Sequence, residues 1–339
     1  MVKKIFIGFL AVLLVLILWN WQLVLYGARQ GYGQLKIVME AKPIAKLMDD
    51  PAFPDSLKMK LELIQEIRKY AIDSLGLKDT KNYTTVYDQH GEEIMWVVQA
   101  CEPFQLAPKM WKFPIVGAMP YKGFFEKERA MNERNQLEQE GYDTSIRNPG
   151  GWSTLGWFTD PILSNMLKRN EGDLASLIIH EMVHATVFVK DDVNFNENLA
   201  SFVGDTAAYY FLASHFGRDS EQFIQYLQED QDYRIYSRHI LRGTQSLDSL
   251  YESFDASESF ETKKQKKEAM IQQIMTSADT LSLFRARKSS TNRIPNNTYF
   301  MSYHLYQARQ DNFSKELDVE FNGNLKGYIK YLSEKYPFL

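Results

Sequence analysis

The chain has 339 residues and a net charge of −4, so it lacks the basic surplus of a nucleic-acid binder. Its single cysteine, Cys101, excludes an intrachain disulfide and any cysteine-based metal cluster. A hydrophobic content of 45% beside 24% charged residues is ordinary for a globular protein, and 14% aromatic residues suit a thick core and an aromatic-lined cleft.

Lys3 and Lys4 precede residues 5–26, a stretch without a charged side chain. A bilayer-spanning helix needs about 20 such residues. Trp19, Trp21 and Tyr26 gather at the far end, as an interfacial aromatic belt would. The stretch predicts one N-terminal transmembrane helix. No small-residue cleavage pattern follows, which favours an uncleaved anchor over a cleaved signal peptide. The two lysines place the N-terminus in the cytoplasm and the rest of the chain outside it, in a periplasm if the cell has one. The division is residues 1–27 as anchor or signal segment and residues 28–339 as one folded domain.

Beyond a G-A-R-Q-G-Y-G-Q-L run at residues 27–35, the pattern is helical until Asp49, Asp50 and Pro51 break it. Ser56 can cap the next helix, with Leu57, Leu61, Leu63, Ile64, Ile67 and Ala71 at helical spacing. Residues 83–100 read as a β-hairpin turning at His90 and Gly91. Residues 126–140 form a charged amphipathic helix. In residues 150–158 glycines flank alternating side chains, so Trp152, Ser153, Thr154, Leu155 and Gly156 read as an extended strand, at a sheet edge or in the core with a bulge. Asp160 and Pro161 end it. Two polar helices over residues 219–241 and 260–274 suggest a helical hairpin at the rim. A last helical region follows Pro295.

The chemistry lies in residues 177–185, which read H-E-x-x-H inside an apolar run. Positions i and i+4 share one helix face. His180 and His184 would therefore aim both imidazoles at one point, as a divalent metal requires. Glu181 stands beside them, where it can take a proton from water at the metal. A turn at Lys190, Asp191 and Asp192 leads into a second apolar segment containing Glu197, thirteen positions after His184. Two antiparallel helices would bring Glu197 back as a third ligand. Two imidazoles and one carboxylate leave the fourth position of one Zn²⁺ ion open, the pattern of a catalytic site. Gly204 in the second helix costs propensity and implies close helix packing.

HEMVH followed by NENLASFVG resembles the gluzincin metallopeptidases, in which the second motif's glutamate completes the zinc site. Ser201 stands where thermolysin-like relatives carry an aspartate that supports a histidine ligand. The chain more closely resembles the bacterial family described as predicted zinc aminopeptidases. The resemblance covers most of the chain: YGARQGYGQLKIV, FPIVGAMPYKGFF, GYDTSIRNPGGWSTLGWFTDPIL, IIHEMVHATVFVKDDVNFNENLA and IPNNTYFMSYH. It implies an α+β, mostly helical zincin-like catalytic domain with a small mixed sheet above the metal helix. It implies a zinc-dependent peptide hydrolase, an aminopeptidase acting on peptide or protein substrates with Glu181 as general base. The alternatives are a membrane-anchored endopeptidase acting on envelope proteins, or a non-catalytic peptide-binding protein on the same scaffold. The strand at Trp152–Gly156 would pair with substrate backbone. The N-N…Y-H block makes Tyr303 a candidate oxyanion donor, or a residue that merely packs its helix on the core. Gly117, Ala118 and Met119 lead into Pro120 where aminopeptidases with G-A-M-E-N carry the amine-reading glutamate, so the match gives no support to aminopeptidase activity. Of Asp143, Asp160, Asp191 and Asp192 near the strand and metal helix, Asp160 is the candidate amine reader because it closely follows the strand, unless it is a turn residue before Pro161.

Overall fold

The computed structural model describes residues 3–4, 6–7, 18–113, 117–151, 159–285 and 294–336. The chain opens with a long helix, α1 (Trp21–Glu40). It continues through β1 (Lys42–Pro43), α2 (Ile44–Met48), α3 (Asp55–Asp73), β2 (Thr85–Tyr87), β3 (Trp96–Cys101), β4 (Trp111–Phe113), β5 (Gly117–Met119) and β6 (Tyr121–Phe124). Next come α4 (Lys127–Gln139), β7 (Asp143–Arg147), β8 (Ile162–Leu163), α5 (Glu171–His184), α6 (Val193–His215), α7 (Glu221–Glu252) and α8 (Phe260–Ser277). The chain closes with α9 (Asn297–Gln307), α10 (Gln310–Phe321) and α11 (Leu325–Lys335). The class is α+β, mostly helical with small sheets.

α3 shows how the periodicity becomes packing. Leu61, Ile64 and Ile67 recur three residues apart and are fully buried. Each contributes up to about 1.5–3 kcal/mol by leaving water. They join Ile178, Ile179, Leu199, Ala207 and Tyr328 in the main core, built around α5 and α6. A second core, of Tyr236, Ile240, Leu247, Ile271 and Phe300, seals α7, α8 and α9 together. A third lies between α4 and the antiparallel sheet β6-β3-β7, through Val98, Ala100, Phe124 and Leu137. The predicted pairing of α7 with α8 is present, and α7 runs eleven residues past the expected end because Leu247 and Tyr251 keep its apolar stripe intact.

The hairpin expected over residues 83–100 does not form. His90 and Gly91 do make a tight turn, with φ of 51° and 79°. The strands on either side go to different sheets. β2 pairs antiparallel with β1 and parallel with β8, whereas β3 pairs with β6 and β7. Gln89 explains the divergence: its N–H donates to Ser164 Oγ at 2.9 Å and its side-chain oxygen accepts from the Asn165 N–H at 3.0 Å. The chain is pinned at the turn before it can fold back. Local alternation could not reveal those distant partners.

No helix among the described residues is long and apolar enough to cross a membrane. Half of the predicted span, residues 5 and 8–17, lies outside the described residues, as does the predicted edge strand at Trp152–Gly156. The expected boundary at residue 27 falls inside α1, which is unbroken from Trp21 to Glu40. The helix is clamped to β6. Tyr26 Oη and Gln30 Nε2 both donate to the Gly123 carbonyl, at 2.9 and 3.0 Å.

Candidate metal centre and its cavity

α5 begins at Asn170, whose side-chain oxygen accepts the Asp173 N–H at 2.7 Å. Glu171 and Asp173 place negative charge in the first turn, where the helix dipole favours it. One side of α5 buries Leu174, Ile178 and Met182. Ser176, His180 and His184 recur every fourth residue and meet α6. α6 begins at Asp192, which caps the Phe195 N–H at 2.9 Å. The linking loop is closed by Asn196, whose amide bonds both the N–H and the C=O of Val189 at 2.8 Å.

Three residues on α6, Glu197, Ser201 and Asp205, are also four apart, and they meet the α5 series in reverse order. Ser176 Oγ donates to Asp205 Oδ1 at 2.7 Å, Ser201 Oγ lies 3.5 Å from His180 Nδ1, and Glu197 Oε2 lies 3.4 and 3.6 Å from the Nε2 atoms of His180 and His184. The two helices are therefore antiparallel and in register. Gly204 permits the approach: a Cβ there would stand 2.7 Å from the Ser176 carbonyl oxygen and 3.2 Å from His180 Cβ. This is the close packing that a glycine inside a helix implied.

His180 Nε2 and His184 Nε2 are 3.1 Å apart. His180, His184 and Glu197 form a group that can hold a metal ion, with ligand atoms all within 4.8 Å of one another. Ligands bound at about 2.0–2.1 Å around a tetrahedral zinc stand roughly 3.3–3.5 Å apart, so the spacing suits such an ion. Three converging acceptors in a buried site repel one another unless a proton or a cation sits between them. The titration of the group reflects this. Burial alone would raise the Glu197 carboxyl, but the two imidazoles overcome it and hold it far below the carboxylate range. Burial would lower His184, yet Glu197 draws it upward.

Glu181 is only 9% exposed, and burial pushes its carboxyl upward against the opposing pull of the histidines. Gly151 lies flush against it. A Cβ on Gly151 would come within 2.3 Å of Glu181 Oε1 and 2.9 Å of Leu177 Cδ1. A side chain at 151 would push the Glu181 carboxylate and the Leu177 tip aside, so the glycine leaves room for the carboxylate where it stands.

The group opens into a cavity of about 1300 Å³ whose lining includes His180, Glu181, His184, Glu197, Arg147, Tyr121 and Tyr306. The last three were not read from the sequence. Arg147, at the end of β7, donates through Nη2 to Tyr306 Oη at 3.1 Å and lies between the rings of Tyr121 and Tyr306, 5.8 and 5.9 Å from their centroids. Burial and nearby Glu197 push both tyrosine hydroxyls far above their usual range, so both remain protonated donors.

α9 is fixed at both ends. Near its start, Asn296 Nδ2 donates to the Thr144 carbonyl at 2.9 Å and the Asn297 N–H donates to Asp143 Oδ2 at 2.8 Å. Beyond Tyr306, the fully buried Asn198 of α6 donates to the Leu305 carbonyl at 2.6 Å and accepts the Arg309 N–H at 2.9 Å. Glu197 and Tyr306 are thus tied through adjacent residues.

Two sequence expectations need correction. Tyr303 does not line the cavity among the described residues; it packs against Tyr236 and Tyr299 in the aromatic second core. Tyr306, one turn further along α9, lines the cavity instead, because the helix turns its cavity face through 306. Asp160 has no exposed surface. Its N–H donates to Asn82 Oδ1 at 3.0 Å and its Oδ2 accepts from Asn82 Nδ2 at 3.2 Å, so it serves as a pin between loops and not as a cavity wall.

No curated protein matches this chain, and no solved structure matches it. A protein-family model does match over residues 25–334, nearly the whole length and including every residue of the metal group, α1 from Leu25, and Tyr306. By that match the chain belongs to the family described as "Putative aminopeptidase".

Proposed function

We propose that the protein is a zinc-dependent peptidase that removes residues from the free N-terminus of peptides, with Glu181 as its general base. The observation that carries the reading is the convergence of His180, His184 and Glu197 beside a buried Glu181 at the wall of a large cavity. Family membership supports peptidase function in general. His180, His184 and Glu197 would hold one Zn²⁺ ion in a zincin-type arrangement. Bound there, the ion would polarise the scissile carbonyl and lower the pKa of water.

The chain's own groups supply the rest. Glu181 takes the attacking water's proton and returns it to the leaving amine. A raised carboxyl is better matched to both transfers than an ordinary glutamate. Tyr306 donates its hydroxyl hydrogen to the developing oxyanion. Arg147 already donates to the Tyr306 oxygen, which leaves that hydrogen free to point into the cavity. Two intact features, the base and the donor, argue against a scaffold that only binds peptide.

An ammonium group in this cavity needs a carboxylate partner. Asp173, about two turns before His180 on α5, lines the cavity and is partly buried. Asp160 does not line it, and the amine-reading role passes to Asp173. We also keep an anchor reading for the uncharged residues ahead of Val24, with this cavity outside the cytoplasm, on the strength of the uncharged stretch after Lys3 and Lys4; Val24 and Tyr26 themselves belong to the fold.

The test compares one peptide with a free and an acetylated N-terminus, with the products sequenced. Single residues should leave the free peptide only, and Asp173→Asn should raise its KM about tenfold or more. Equal cleavage of both peptides at internal bonds would replace the aminopeptidase reading with the endopeptidase one.

A further inference from the structure

α1 carries two stripes one residue apart in phase. Tyr26, Gln30, Gly33 and Ile37 form the docked stripe. The first two bond Gly123, Gly33 sits against the Phe125 ring, and Ile37 is 2% exposed. Val24, Gly27, Gly31 and Gln34 form the second, at spacings of three and four. All four line the same cavity as the metal group. A Cβ added at Gly27 or Gly31 would meet nothing within 4 Å among the described residues. No steric reason inside the fold requires glycine at either position, and each costs helix propensity.

Gln34 is an independent sign. It is 6% exposed, it lines the cavity, and its Nε2 has no hydrogen-bond partner among the described residues. A buried amide donor without an acceptor is uncommon in native structures. The neighbouring walls are Leu23, Met95, Phe113, Met119 and Phe125, all apolar. A volume of about 1300 Å³ is more than the roughly 300–1,000 Å³ of a small-molecule site. A single amino acid at the metal would leave this end empty.

We propose that the Val24–Gly27–Gly31–Gln34 face of α1 is a substrate subsite that seats an extended peptide with apolar side chains. The two glycines let the peptide backbone lie close to the helix, and Gln34 Nε2 donates to one of its carbonyls. The stripe carries no charge, so acidic or basic segments are disfavoured by desolvation. The subsite takes residues beyond the scissile bond, a placement that rests on the proposed peptidase reading and puts the amine at the α5–α7 end beside Asp173. The helix that follows the uncharged N-terminal segment then belongs to the recognition machinery.

The experiment uses the full zinc-loaded chain carrying Glu181→Gln, titrated calorimetrically with two pentapeptides, one alternating leucine and alanine, the other serine and glutamate. The leucine–alanine peptide should bind at least tenfold more tightly than the other. Gly31→Leu should weaken its binding tenfold or more, and Gln34→Leu about threefold to tenfold. Zinc content should not change, and the melting temperature of Gly31→Leu should hold or rise, since leucine is the better helix former. Tyr32→Ala, on the outer face where Tyr32 is 72% exposed, should bind as the parent does. Unaltered binding by Gly31→Leu, or no preference between the peptides, overturns the proposal. Hydrolysis by the unmutated chain is scored separately. Cleavage without dependence on Gly31 sinks the α1 subsite alone, whereas Gly31-dependent binding without cleavage sinks the peptidase reading alone.

Discussion

Two walls of the cavity are built on different plans. The α5–α6 wall carries its metal group within residues 176–205, on two four-residue repeats of a pair of antiparallel helices. The facing wall takes Tyr121 from β6, Arg147 from β7 and Tyr306 from α9, segments separated by up to 185 positions. The first wall is set by local helix geometry and one short loop. The second depends on long-range docking through Asn198, Asn296 and Asn297. A catalytic group in the first can be lost only by changing the residue or the helix contact, while the second can fail from a distance.

The largest effect should come from the first wall. Glu181→Gln keeps the three ligand groups and removes only the base. It should retain zinc and lose activity by roughly 10²–10⁴-fold. His184→Ala or Glu197→Ala should lose most of the metal along with activity. Metal analysis of purified variants separates the two cases. Full zinc in Glu197→Ala would remove that residue from the ligand set.

The second wall is tested by two tyrosines one turn apart. Tyr306→Phe removes the proposed oxyanion donor and should lower kcat about 10²-fold with little change in KM. Tyr303→Phe removes a hydroxyl in the aromatic core, 3.4 Å from that of Tyr299, and should change kcat less than threefold. Comparable losses from both would mean that the packing of α9 matters and the Tyr306 hydroxyl does not.

The difference between the walls also explains what the amino-acid sequence disclosed. His180, Glu181, His184 and Glu197 could be placed together because helix periodicity is a local rule, and Gly204 pointed to close packing for the same reason. Arg147 and Tyr306 carry no periodic signal. Tyr306 sits in an aromatic stretch where Tyr299, Tyr303 and Tyr306 look equivalent, and only the docking of α9 decides which of them reaches the cavity. Asp160 stayed open between amine reader and turn residue because proximity to a candidate strand says nothing about the side of that strand on which a loop packs; the partner that buries it, Asn82, is 78 positions away. The hairpin over residues 83–100 failed similarly, through the hold of Ser164 and Asn165 on Gln89.

Gly204→Ala probes how tightly the first wall is packed. The added methyl must displace the Ser176 carbonyl or the His180 side chain, neither of which is a flexible tip. Overpacking of this kind costs about 1–3 kcal/mol, against a gain of up to about 1 kcal/mol in helix propensity. Denaturant unfolding should show a net loss, and zinc affinity should fall with it because His180 moves. A variant more stable than the parent with unchanged zinc affinity would show that the helices can part at no cost.

The smallest effect lies at the far rung of the same ladder. Burial pushes the Asp205 carboxyl up to about 6, opposed by the Ser176 hydroxyl and reinforced by Asp230. Its unfolded value is near 4. Between those values the folded chain holds the proton more tightly than the unfolded chain. Stability from this group is therefore full below about pH 4 and is lost as pH rises through about 6. Asp205→Asn keeps an acceptor for Ser176 and removes the titration. Unfolding free energies measured from pH 4.5 to 7 in metal-free protein should fall less steeply for the variant. At pH 7 the variant should match or exceed the parent by about 1–2 kcal/mol, the shift reduced for the partial exposure of Asp205. Parallel pH profiles for the two proteins would show that Asp205 ionises as freely in the fold as in the open chain, and that the α5–α6 wall carries no electrostatic strain away from its metal ligands.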